Sequence, residues 1–75
     1  MNIKEFKNKY KDKLVILYCT EYKTVDVMDE TLINITETKV YKGKAKSIPN
    51  NYFEDKIISM RPEFKNDKFF IKLFV

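Results

Sequence analysis

The 75-residue chain has no histidine and no tryptophan, and only one cysteine, one glycine and two prolines. Each shortage removes a class of chemistry. Without histidine there is no Ser–His or Cys–His nucleophile–base pair, and no zinc site of mixed Cys and His ligands. The lone Cys19 forms no disulfide within the chain. The lone Gly43 cannot build the multi-glycine loop that cradles phosphates. No apolar run approaches the roughly 18 residues that a membrane span needs. The longest, Leu14–Cys19, is far shorter. The lysine-rich start, Met1–Lys13, is followed by neither an apolar h-region nor a small-residue cleavage site, so it does not read as a secretory signal. With the single thiol, this points to a reducing, cytoplasmic setting. The adjacent acids Asp29-Glu30 and Glu54-Asp55 diverge on regular structure and do not form a converging carboxylate pair. The composition therefore predicts a protein that binds rather than catalyses, with no cofactor and no metal.

What is present describes a folded chain. The sequence is 44% hydrophobic, 15% aromatic and 35% charged, too apolar for a disordered tail. It reads as a single domain over residues 1–75. A domain this short buries only about 60% of its unfolded surface. The many aromatic rings and self-association are two ways to compensate.

Charge is segregated along the chain. Residues 1–13 carry +3, residues 21–37 carry −4, residues 39–46 carry +4 and residues 54–75 carry +1, for a total of +4.

Periodicity predicts an α+β fold. Asn2–Lys11 reads as a short helix, with Ile3, Phe6 and Tyr10 on one face and an Asn2/Glu5 capping box. Leu14–Thr20 is apolar on both faces and reads as a central strand. Thr24–Met28 and Leu32–Thr36 have strand character, with Asp29-Glu30 as a candidate turn between them. Val40–Ser47 reads as a further strand, and residues 49–54 as one helical turn with Pro49 in its first position. Ile57–Lys65 and Lys68–Val75 form a hairpin about Asn66-Asp67. Counting out from that turn pairs Phe64 with Phe69, Pro62 with Ile71, Met60 with Leu73 and Ile58 with Val75. Those apolar pairs form the expected buried face; the opposite, mixed face pairs Lys65 with Lys68, Glu63 with Phe70, Arg61 with Lys72 and Ser59 with Phe74. Pro62 falls on a non-hydrogen-bonded site, which marks this strand as an edge or as one that carries a bulge. The expected architecture is a short N-terminal helix packed on four to five mostly antiparallel strands. A closed small barrel is the alternative, and a single glycine argues against its tight corners.

From Tyr41 onward the run Gly43-Lys44-Ala45-Lys46-Ser47-Ile48-Pro49, then Tyr52, then Ile57-Ile58-Ser59-Met60 and an apolar terminal strand, resembles short uncharacterised proteins of phages and prophages in low-GC Gram-positive bacteria. The resemblance covers mainly residues 41–75. It implies a non-enzymatic accessory protein that binds and inhibits a host macromolecule, for example a component of antiviral defence, in an anti-defence or anti-CRISPR-like role in the host cytoplasm.

Three surfaces are candidates for that contact. Lys42, Lys44 and Lys46 form a comb that reads as a phosphate-contacting row, with Tyr41 or Tyr52 as a stacking platform, or as a solvated, lysine-protected edge. Arg61 and Lys72 flank Phe70 and Phe74 on the mixed hairpin face; the rings are covered either by the N-terminal helix, which needs a docking face, or by a second copy in a homodimer. The acidic stretch with Asp26, Asp29 and Glu30 reads as a ligand for a basic groove or as a solvated hairpin. The partner classes are thus a host protein, a nucleotide signal held by an oligomeric sponge, or a nucleic acid.

Overall fold

A computed structural model describes all residues, 1–75. One helix, α1 (Ile3–Lys9), is followed by β1 (Leu14–Val27), β2 (Glu30–Lys44), two 3₁₀ turns (Ala45–Ser47 and Asn50–Tyr52), β3 (Ser59–Lys65) and β4 (Lys68–Phe74). The four strands form one open sheet in the order β2-β1-β4-β3. This is the α+β architecture that the periodicity predicts. The β1–β4 pairing is parallel and the other two are antiparallel.

The helix starts where the sequence says it should. Asn2 Oδ1 accepts from the Glu5 backbone N–H at 2.9 Å, and Glu5 Oε1 accepts from the Asn2 N–H at 3.4 Å, which completes the capping box. The next orphan donors, the N–H groups of Ile3 and Lys4, bond the carbonyls of Asp55 and Phe53. The segment after the second 3₁₀ turn thus holds the helix N-terminus in place. Pro49 caps that turn from outside rather than opening it.

The core is small. Ile3, Phe6, Val15, Leu17, Ala45, Ile48 and Leu73 are buried together. Val15, Leu17 and Leu73 point to the face that the helix covers. Their register neighbours Ile16, Lys72 and Phe74 point to the other face, because side chains alternate along a strand.

The hairpin about Asn66-Asp67 has the expected register from Phe64↔Phe69 through Ser59↔Phe74, but its apolar face is buried only at Leu73, near the helix: Phe64, Met60, Ile58 and Phe69 are exposed. Both turn residues have positive φ, +51° and +61°, as a type I′ turn requires. β3 is an edge strand, as Pro62 predicted. The strand begins at Ser59 rather than Ile57. Val75 does not pair with Ile58: its N–H and C=O bond Tyr18 and Thr20 of β1. Asp67 occupies a left-handed position that glycine adopts without cost. Asp67→Gly is therefore expected to stabilise the fold by about 0.5–1 kcal/mol, a rise of several degrees in thermal midpoint.

Between residues 14 and 44 the sequence expectations need correction. The two segments Leu14–Thr20 and Thr24–Met28 are one continuous strand, and Leu32–Thr36 and Val40–Ser47 are joined in another that stops at Lys44. The turn is Met28-Asp29, closed by Val27↔Glu30, not Asp29-Glu30. Met28 and Asp29 both have positive φ, +50° and +66°. The turn type demands this geometry, which Asp adopts readily and Met does not. A register shift between Leu17 and Tyr18 leaves Val40 as the extra residue of a bulge, so Val40 packs on the core and Lys39 turns to the opposite face. β2 ends because Ala45 is drawn into the core, its N–H bonding the Lys13 carbonyl at 2.9 Å.

Beyond residue 20 the β1–β2 ribbon leaves the body of the sheet. Every residue from 21 to 39 is exposed, and the molecule measures 49 × 29 × 16 Å. This segment is called the arm below.

Candidate functional site

The helix covers only one face of the sheet. The other face is open, and its residues follow from the register. Lys39, Lys42 and Lys44 of β2 lie across from Tyr18, Ile16 and Leu14 of β1. Ile16 lies beside Lys72 of β4, and Lys72 pairs with Arg61 of β3. Phe70 pairs with Glu63, Phe74 with Ser59 and Lys68 with Lys65 on the same face. Strands lie about 4.8 Å apart, so Lys42, Ile16, Lys72 and Arg61 make one row about 14 Å long across the sheet. On the body of the sheet the face holds seven cations against one acid, Glu63.

The aromatic rings on this face are not covered by the helix, contrary to the expectation for Phe70 and Phe74. They are nonetheless only 7% and 5% exposed, and Ile16 is 5% exposed. Long cationic side chains lie over them. Lys42 Nζ sits 5.0 Å from the centre of the Phe70 ring, and the Arg61 guanidinium 5.0 Å from that of Phe74. Tyr18 stacks on Phe74 with centroids 5.0 Å apart and planes 12° from parallel. Lys72 reaches over Tyr18 at 5.9 Å and pairs with Glu63 at 3.5 Å. The aliphatic stems shield the apolar floor while the charges stay near water. Each cation–π contact contributes about 0.5–1 kcal/mol at such a site.

The structure therefore assembles Lys42, Lys44, Arg61, Lys72, Phe70 and Phe74 on one surface. Lys46 is not on it: the residue lies in the first 3₁₀ turn and approaches Asp12 at 4.0 Å. Tyr41 is not a stacking platform. It points to the helix side and donates from its hydroxyl to the Lys44 carbonyl at 2.6 Å. Tyr52 packs against the core. Asp26, Asp29 and Glu30 lie at the far end of the arm, away from Phe70 and Phe74. Lys65 and Lys68 belong to the face as the hairpin register predicts, and Tyr18 and Lys39 join it without having been site candidates in the sequence. The strand alternation identifies Tyr18, Lys65 and Lys68, whereas Lys39 depends on the bulge.

Gly43 supports the site from behind. Its φ is +151°, and a β-carbon there would lie 2.8 Å from the Tyr41 hydroxyl. Gly43→Ala is expected to cost about 1–3 kcal/mol, as backbone strain does, and to disturb the Lys42–Lys44 segment. A thermal melt checks the cost.

Cys19 is half-buried on the helix side of β1. Burial, and secondarily the carboxylates of Asp55 and Glu21, push its thiol above the ordinary value. The thiolate is the reactive form. A disulfide reagent at pH 7 is thus expected to label the native protein several-fold more slowly than the unfolded chain.

Fold and site together define a small α+β domain with one helix-covered sheet face and one open, cationic, aromatic-floored face. No family model, curated protein or solved structure matches the chain. No helix is long and apolar enough to cross a membrane.

Proposed function

We propose that the protein is a non-enzymatic binding protein that takes single-stranded nucleic acid on its open sheet face. The observation that supports this is the cation row Lys42, Lys72 and Arg61 laid over the rings of Phe70, Tyr18 and Phe74, with Glu63 the only acid among them. Phosphates attract the cations, and bases stack on aromatic floors without regard to sequence. The face is broad and shallow, and the one element that projects from the body, the β1–β2 arm, carries −4 over residues 21–37, a charge that disfavours entry into a duplex groove. Binding has a defined internal step. Lys42 and Arg61 exchange their ring contacts for phosphate oxygens and, in moving aside, open Phe70 and Phe74 to the bases. The exchange is favourable because a charge-assisted hydrogen bond contributes about 1.5–3 kcal/mol, more than the cation–π contact given up.

In the phage-type setting that the resemblance implies, this binding occludes a host macromolecule. A strand held on the sheet face is withheld from host enzymes, including those of antiviral defence, without any bond being broken.

The test is anisotropy of a labelled oligonucleotide of about a dozen residues, titrated with protein at several salt concentrations. Each phosphate neutralised lowers the slope of log K against log salt by about 0.7 for a single strand. Three or four contacts predict a slope of about −2 to −3, with a duplex of the same length binding more weakly. Absence of saturable binding at about 50 mM salt, where electrostatic contacts are strong, refutes the proposal.

A further inference from the structure

The arm poses a separate question. A two-stranded ribbon is marginally stable by itself in water, yet this one is exposed on both faces from residue 21 to 39. Its even-numbered β1 positions continue the open face. Tyr22 and Thr24 there pair with Ile35 and Ile33, and Asp26 pairs with Thr31. Tyr22, Ile33 and Ile35 are 60%, 66% and 55% exposed. Glu37, opposite Thr20, stands at the boundary with the body. Glu21, Asp26, Asp29, Glu30 and Glu37 against Lys23 leave residues 21–37 at −4; since the chain totals +4, the rest of the molecule carries +8. One continuous sheet face is thus apolar and acidic at one end and cationic at the other.

We infer that the occupant of this arm is a second copy of the same chain. A two-fold axis parallel to the sheet face, perpendicular to the strands and lying just above the Thr20–Glu21 level, lays each arm face down on its partner's cationic face. Asp26 then lies over the row Lys42, Ile16, Lys72 and Arg61, with Glu37 beside the axis, while Tyr22, Ile33 and Ile35 shield the aromatic floor. Such a contact is isologous and closes at two copies. The dimensions match: Glu21–Val27 and β4 are each seven residues, about 23 Å at 3.3 Å per residue. The inference builds on the cationic face described under Proposed function and adds a competitor for it. The partner's arm and a nucleic-acid strand occupy the same surface, so strand binding displaces the arm and separates the copies.

Sedimentation velocity with charge-swapped variants tests this. The native chain is expected to dimerise at about 50 mM salt and to become monomeric near 1 M, where the screening length falls to about 3 Å. Asp26→Lys/Glu37→Lys and Lys42→Glu/Arg61→Glu are each expected to be monomeric alone. Mixed in equal amounts they regain the dimer, since each arm now faces an opposite charge. Circular dichroism confirms that each variant is folded. The Asp26→Lys/Glu37→Lys variant is also expected to bind an oligonucleotide several-fold more tightly than the native chain. A monomer under all conditions overturns the inference and leaves the arm to a basic groove on another protein. A dimer insensitive to salt and to both variants, or a mixture that fails to reassociate, also overturns it. Salt-sensitive dimerisation without oligonucleotide binding upholds the self-association and refutes the nucleic-acid proposal.

Discussion

Reversing two charges, Lys42→Glu and Arg61→Glu, is expected to weaken binding of single-stranded nucleic acid by on the order of 100-fold or more at low salt. Two charge-assisted contacts of about 1.5–3 kcal/mol each are lost, which corresponds to at least two decades in affinity. The two side chains lie at opposite edges of the sheet, on β2 and β3, so one phosphate does not satisfy both. The salt slope should fall at the same time, by about 0.7 for each contact removed. The fold should persist, because both residues are exposed and neither belongs to the buried cluster. Some loosening of the Phe70 and Phe74 rings is expected from loss of the cations above them, worth about 0.5–1 kcal/mol each. Anisotropy titrations at three salt concentrations, with a thermal melt of the variant, check both parts. Substituting Lys46 instead should change affinity little, because that residue lies off the face.

The largest stability effect is expected at Phe6. Its ring is 1% exposed, and it is the largest buried side chain of the core. Phe6→Ala is expected to cost about 3–5 kcal/mol. A chain of 75 residues has a total stability of roughly 4–11 kcal/mol at the usual 0.05–0.15 kcal/mol per residue. The variant should therefore stand near its unfolding midpoint at room temperature. The damage extends beyond one cavity. Helix α1 has seven residues, too short to hold its shape without docking. Phe6 anchors it to the sheet and packs at a tilt against Tyr10, with ring centres 4.9 Å apart. With the helix undocked, the carbonyls of Phe53 and Asp55 lose the N–H groups of Lys4 and Ile3. Urea unfolding followed by circular dichroism measures the loss.

The parts of this fold that local sequence determines were legible. The Asn2/Glu5 spacing fixed the helix start, and the alternation outward from Asn66-Asp67 fixed the register of the last hairpin. Pro62 fixed its place at an edge. The parts that tertiary structure determines were not. Met28 carries no left-handed signal to go with Asp29, so the arm reads as two short strands with a turn one residue later. The parallel pairing of β1 with β4 joins segments some fifty residues apart, and no local pattern reveals it.

The site was half legible for the same reason. Lys42, Arg61, Lys72, Phe70 and Phe74 follow from strand alternation, but their union on one face requires the strand order. Lys46 looked like the third tooth of a comb because the draw of Ala45 into the core, which ends β2, is a tertiary event. The expectation that the helix covers Phe70 and Phe74 failed because Val15, Leu17 and Leu73 offered it a wholly apolar face. The aliphatic stems of Lys42 and Arg61 shield the other face without a second layer.

The most direct measurement is amide chemical-shift mapping of the isotope-labelled chain during titration with a single-stranded oligonucleotide. Shifts concentrated on Tyr18, Lys42, Arg61, Phe70, Lys72 and Phe74, saturating together, are the predicted result. Shifts confined to the helix-covered face, or none at low salt, would contradict a nucleic-acid role for the open sheet.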